Sequence, residues 1–215
     1  VSTITPPTAY SLLLPPGWVR VPLRNGTRAV LDARIFRGIE RIPAGVPRDK
    51  GMAYRLYVRR RVEGLVAEAR KAGGLDLYVP VGARPGGGML AASFVVAEVA
   101  EVEGVEGVEG EAAQPEAVLG RLAGEAGEVR GVAETVGVRR EYVRAAAEEE
   151  AEAGVPTRHV DYVVPVPGDG GRWLTVSFST AGDGDPASPF TRAVAELFDA
   201  MMTTFRWGHS SRRTP

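Results

Sequence analysis

Side chains between Thr157 and Phe178 alternate with period two and lead into a helical repeat, and this constrains the chain more than any other feature. Val160, Tyr162, Val164 and Val166 share one face of a first strand; His159, Asp161, Val163 and Pro165 share the other. In a second strand Leu174, Val176 and Phe178 alternate with Thr175, Ser177 and Ser179. Period two belongs to strands with one buried face. The intervening Pro167-Gly168-Asp169-Gly170-Gly171 is rich in residues that tolerate positive φ, so an antiparallel hairpin is expected. Ser188 then caps a helix running to Phe205, with Pro189 in the first helical position. Phe190, Val194, Leu197, Phe198, Met201 and Phe205 recur at helical spacing, with Arg192, Glu196 and Asp199 on the other side. Such a stripe packs on a sheet, each fully buried large side chain contributing about 1.5–3 kcal/mol.

The remaining chain adds strands and helices around this block. Residues 18–23 form a short strand that Pro22 confines to an edge or an end. Residues 28–41 have a helical pattern. Asp49 is placed to cap a long helix to about Ala72, stopped by Gly73-Gly74, with Tyr54, Val58, Val62, Leu65 and Ala69 as its buried face. Strands are expected over 75–81, 90–99, 128–133 and 136–145, the first two paired, with a short helix over 115–123. The segment Val102-Glu-Gly-Val-Glu-Gly-Val-Glu-Gly reads as a solvated loop, because a glycine at every third position disfavours helix by about 1 kcal/mol each. The organisation expected is an irregular segment with a short strand (1–27), one α+β domain (28–207) with a helical part over 28–74 and an acidic loop over 100–114, and a disordered tail (208–215). The fold class expected is α+β, an antiparallel sheet of about six strands flanked by helices.

Charge is segregated although the net value is only −1. Residues 1–97 hold 15 basic and 6 acidic side chains; residues 98–152 hold 5 and 15. Cysteine is absent, which excludes thiolate nucleophiles, disulfides and cysteine-built zinc sites, and suits a cytoplasmic protein. No run approaches the roughly 20 apolar residues that span a bilayer, and the opening Val1-Ser-Thr-Ile-Thr-Pro-Pro has no basic leader, so neither a membrane span nor a signal peptide is expected.

Several residues invite a chemical reading. Gly182-Asp183-Gly184-Asp185-Pro186-Ala187 matches a dinucleotide-binding fingerprint between a strand and a helix. Two aspartates in the loop would repel a pyrophosphate, and the preceding strand belongs to a hairpin instead of a βαβ unit, so no cofactor is expected. Two carboxylates also fall short of a calcium site's usual ~6–8 oxygens, and no metal is expected. His159 and Asp161 share a strand face with Thr175 and Ser177. The four make a surface for a protein partner, or, in a competing reading, His159 serves as general base for Ser177 or Ser179 in a hydrolase. Arg55, Arg59, Arg60 and Arg61 on the long helix form a basic cluster, and phosphate or nucleic acid could bind through Arg55, Arg59 and Arg60. No nucleic-acid-binding module accompanies them, and Tyr54, a base-stacking candidate, belongs to the expected buried stripe.

Pro15-Pro16-Gly17-Trp18-Val19-Arg20-Val21-Pro22-Leu23, the phrase Ala72 to Pro80, the block Asp161 to Pro167 with Trp173 to Thr180, and Glu196 to Ala200 together resemble a group of uncharacterised actinobacterial proteins. In element order that group is similar to the Mog1/PsbP-like fold. The resemblance implies a binding or assembly role and an association with type VII secretion genes, and it carries over no functional residue. A non-catalytic binding or accessory protein, tied to secretion or envelope biology, is therefore the expectation.

Overall fold

A computed structural model describes residues 5–37, 48–81, 90–99, 119, 120, 123, 124, 127–146, 154–169 and 171–209. The expected acidic loop lies outside these residues, as does most of the helix expected over 115–123. The chain divides into two compact units, residues 16–97 and residues 1–15 with 98–215.

In the first unit, β2 (Trp18–Pro22), β3 (Gly74–Pro80) and β4 (Ala92–Val99) pair antiparallel in that order. Alternation sorts their side chains. Val19 and Val21 lie opposite Val79 and Leu77 on one face, where they enter a core with the helices. On the other face Tyr78 stacks on Phe94 at 4.3 Å, and Trp18 lies 5.5 Å from the same ring. Pro22 ends β2, at the position its missing N–H allows. The chain then turns at Gly26 (φ +78°) into α1 (Thr27–Val30) and a π-helical run, Leu31–Phe36. The wider π turn suits the spacing of Leu31, Ile35 and Phe36, all buried in the core.

The long helix α2 spans Arg48–Lys71, so Asp49 lies within its first turn instead of capping it. Gly73 (φ +72°) closes it in the left-handed conformation expected of a stop. Its buried stripe is Val58, Val62, Val66 and Ala69, with Leu65 half-buried. Tyr54, expected inside, is 51% exposed, because the stripe that packs runs through Val66. Arg70 ties the helix end to the β2–α1 turn, donating to the Leu23 carbonyl (2.9 Å) and the Thr27 hydroxyl (2.8 Å).

In the second unit, β5 (Gly127–Val132), β6 (Thr135–Arg144), β7 (Thr157–Pro165) and β8 (Trp173–Thr180) are antiparallel in the order β8-β7-β6-β5. The expected hairpin is β7–β8. Among the described residues seven strands form these ladders, three in one unit and four in the other, against about six expected, and two further strands form a separate pair. Helix α3 (Pro189–Thr203) covers the face bearing Val160, Tyr162, Val164, Val176 and Phe178; Phe198 stacks on Phe178 at 4.8 Å and meets Tyr162 edge-on. Ser188 caps it as expected, accepting from the Thr191 N–H at 3.0 Å. Two helix positions differ from expectation. Leu197 is 38% exposed while Ala195 and Met202 are buried, and Asp199 turns inward to partners described below.

The chain ends of this unit pair with each other. β1 (Ala9–Ser11) runs antiparallel to β9 (Arg206–Gly208), and Tyr10 stacks on Phe205 at 5.6 Å. Gly208, expected in the tail, is thus a strand residue opposite Ala9. No helix among the described residues is long and apolar enough to cross a membrane.

Candidate functional site

The register of β6–β8 assembles the residues on the sheet face away from α3. His159 lies opposite Tyr142 on β6 and Ser179 on β8; Asp161 lies opposite Arg140 and Ser177; Val163 lies opposite Val138 and Thr175. His159, Asp161, Thr175 and Ser177 therefore share one surface, as expected. Toward Val163 this surface is covered: Leu119 and Ala123 pack there on Val138 and Trp173. Toward His159 it is open.

The open part is already organised. The Tyr142 ring lies parallel to the His159 ring at 5.0 Å, and its hydroxyl donates to Asp161 Oδ2 at 3.0 Å. His159 Nε2 lies 2.8 Å from the Thr157 hydroxyl. Burial, reinforced by Arg144, holds the His159 imidazole below its ordinary pKa, against a weaker pull from Asp161, so the ring is neutral at pH 7. Burial and the Asp161 charge raise the Tyr142 hydroxyl, which stays a donor. Neither Ser177 nor Ser179 hydrogen-bonds His159 among the described residues. The surface offers aromatic faces, a carboxylate, hydroxyls and the guanidinium-bearing Arg140 and Arg144 side by side on a sheet.

The opposite face hides a network that the sequence reading missed. Arg139 donates Nε to Asp199 Oδ1 (2.9 Å) and NH2 to Asp199 Oδ2 (2.8 Å) and Glu141 (2.6 Å). The Tyr162 hydroxyl donates to Asp199 at 2.8 Å, and Arg158 reaches Glu141 and the Pro186 carbonyl. The Arg139 side chain is only 8% exposed. Burial works against its charge, but the bonds to Asp199 and Glu141 outweigh that, and its pKa lies above the ordinary value. Burial, then Asp199, raises Tyr162. Each charge meets an opposite partner, so this is a clamp holding α3 to β6 and β7. Period-two spacing of Arg139 and Glu141 on β6 was its only signal in the sequence.

Arg55, Arg59 and Arg60 of α2 differ in their surroundings. Arg55 is half-buried and Arg60 is exposed. Arg59 places its guanidinium 4.5 Å from the centre of the Phe36 ring, a cation–π contact, beside a groove of about 250 Å³. That groove runs between the 27–36 segment and α2 over Leu31, Val66 and Ala67, and Asp32 and Glu63 line it too, so its rim carries both signs.

The fingerprint-like loop is used up structurally. Asp183 Oδ1 accepts from the hydroxyls of Ser188 (2.7 Å) and Thr191 (3.1 Å), and the Ser188 bond leads in holding its carboxyl below the ordinary pKa. Gly182 (φ +58°) sits against Thr191 so closely that any Cβ would collide with its side chain. No group of three or more potential metal ligands occurs among the described residues. Comparison with protein-family models, curated proteins and solved structures yields no match.

Proposed function

We propose that the protein is a non-catalytic binding or accessory protein whose open sheet face on β6–β8 recognises a protein partner. The observation that carries this reading is the stacked and hydrogen-bonded Tyr142–His159–Asp161 set. It stands on a half-exposed strand surface whose orientation is set by the sheet. Aromatic rings held beside satisfied polar groups bind at little cost in side-chain ordering. Ser177 and Thr175 extend the same surface. An association with type VII secretion or envelope biology rests on the sequence resemblance, as does a Mog1/PsbP-like arrangement, which the α3-covered antiparallel strands of the second unit support. A cytoplasmic setting is part of the proposal and suits a chain without cysteine.

The test is a low-salt pull-down from native lysate with wild type and a Tyr142→Ala/Asp161→Ala variant. A stoichiometric partner recovered by the wild type and lost by the variant supports the reading. Equal recovery by both overturns it. So does turnover in a hydrolase screen that His159→Ala abolishes.

A further inference from the structure

We propose that the N-terminal half of α2 docks the first unit on an anionic phospholipid surface. The buried stripe of this helix turns Val58, Val62, Val66 and Ala69 toward the core. The other side leaves large apolar side chains exposed over two turns: Met52 (57% exposed), Leu56 (50%) and Tyr57 (66%). Single exposed apolar residues are ordinary, but a contiguous set marks an interaction surface.

The spacing orders this set. Met52, Leu56 and Arg60 follow one another at i, i+4 and i+8; Tyr57 and Arg61 follow at i and i+4. Two parallel rows thus run from apolar or aromatic residues to arginine. Arg60 and Arg61 are exposed, and neither has an ion-pair partner among the described residues. The surrounding unit is strongly cationic: residues 16–97 contain 15 basic and 6 acidic side chains, a balance of 15 − 6 = +9.

An anionic bilayer surface uses every part of this face. Methionine and leucine enter the upper acyl region, Tyr57 sits at headgroup depth with its hydroxyl in water, and arginines reach the phosphates by extending their stems. Nucleic acid would use the arginines and Tyr57 but leave Met52 and Leu56 in water. This surface lies in the other unit from the proposed protein-binding face, so either proposal can fail alone.

The experiment is flotation of the full chain with vesicles of phosphatidylcholine alone or in equal mixture with phosphatidylglycerol. The expected result is flotation with the mixture only, suppressed by high salt. Bound fraction should fall about tenfold or more in Leu56→Ser/Tyr57→Ser and in Arg60→Glu/Arg61→Glu, and persist in Arg60→Lys/Arg61→Lys. All three pairs sit at exposed positions, and matching thermal melts establish that the fold is kept. No flotation with the mixture overturns the proposal, as does flotation that both the serine and the glutamate variants retain. Binding of a single-stranded oligonucleotide without binding of vesicles also overturns it.

Discussion

Asp199 shows how far a residue's role can depart from its place in a pattern. On a helical wheel it belongs to the polar side, and in the fold it accepts from Arg139 twice and from Tyr162 once. Replacing it with alanine leaves a nearly buried guanidinium without its main partner. Asp199→Ala should cost about 3 kcal/mol, toward the low end for breaking a buried pair because Asp199 keeps some water contact. Urea unfolding followed by circular dichroism measures this, and a loss below about 1 kcal/mol would mean that Glu141 alone suffices for Arg139. His159 makes a pH-dependent counterpart. Its folded pKa is depressed by burial and by Arg144, whereas its unfolded value is the ordinary one near 6.5. The unfolded chain therefore binds this proton first, and stability falls as pH drops below about 6.5 while above it the effect vanishes. His159→Gln should lose less stability than wild type between pH 7 and pH 5. Equal slopes would show that the ring titrates normally.

Among the elements, the β5–β6 hairpin carries an avoidable strain. Val132 pairs with Thr135, so Ala133 and Glu134 form a two-residue turn, and both have positive φ (47° and 66°). The mirror-image turn that matches strand twist requires this geometry, and asparagine followed by glycine adopts it most readily. Alanine and glutamate pay a steric penalty there. Ala133→Asn/Glu134→Gly should stabilise the protein by about 1 kcal/mol, visible as a higher melting temperature; an unchanged or lower one would place the turn in a different conformation. The sequence pattern located both strands within a residue of their observed ends but gave no hint of the turn, since nothing in Ala-Glu announces positive φ. Helix α3 was legible for the opposite reason. Ser188, Pro189 and the spacing of Val194, Phe198 and Met201 act locally, and the helix forms as they dictate. On α2 the apolar spacing was ambiguous between Tyr54 and Val66, and only the position of the core selected Val66.

For the molecule as a whole, residues far apart in sequence close each unit. In the second unit the first and last described strands pair, Leu13 N–H donates to the Thr204 hydroxyl at 2.9 Å, and Tyr10 lies against Phe205. Phe205 is fully buried. Tyr10→Ala should therefore lower stability by about 1–2 kcal/mol, combining lost burial with a lost ring contact. Thermal unfolding of the variant checks this; an unaltered melt would mean that β1 does not contribute to the core.

The sequence by itself determined the strands β2 to β8, their alternation, the β7–β8 hairpin, the cap of α3, and the shared face of His159, Asp161, Thr175 and Ser177. These follow from periodicity and local capping, which neighbouring residues enforce on one another. Tertiary structure alone decided that Tyr142 completes the His159 face, that Asp199 turns inward to Arg139, that Tyr57 is exposed one turn before Arg60 and Arg61, and that β1 pairs with β9. Those outcomes depend on register between strands and on which helical stripe the core accepts. Both are set by contacts across tens of residues, to which a local pattern is blind.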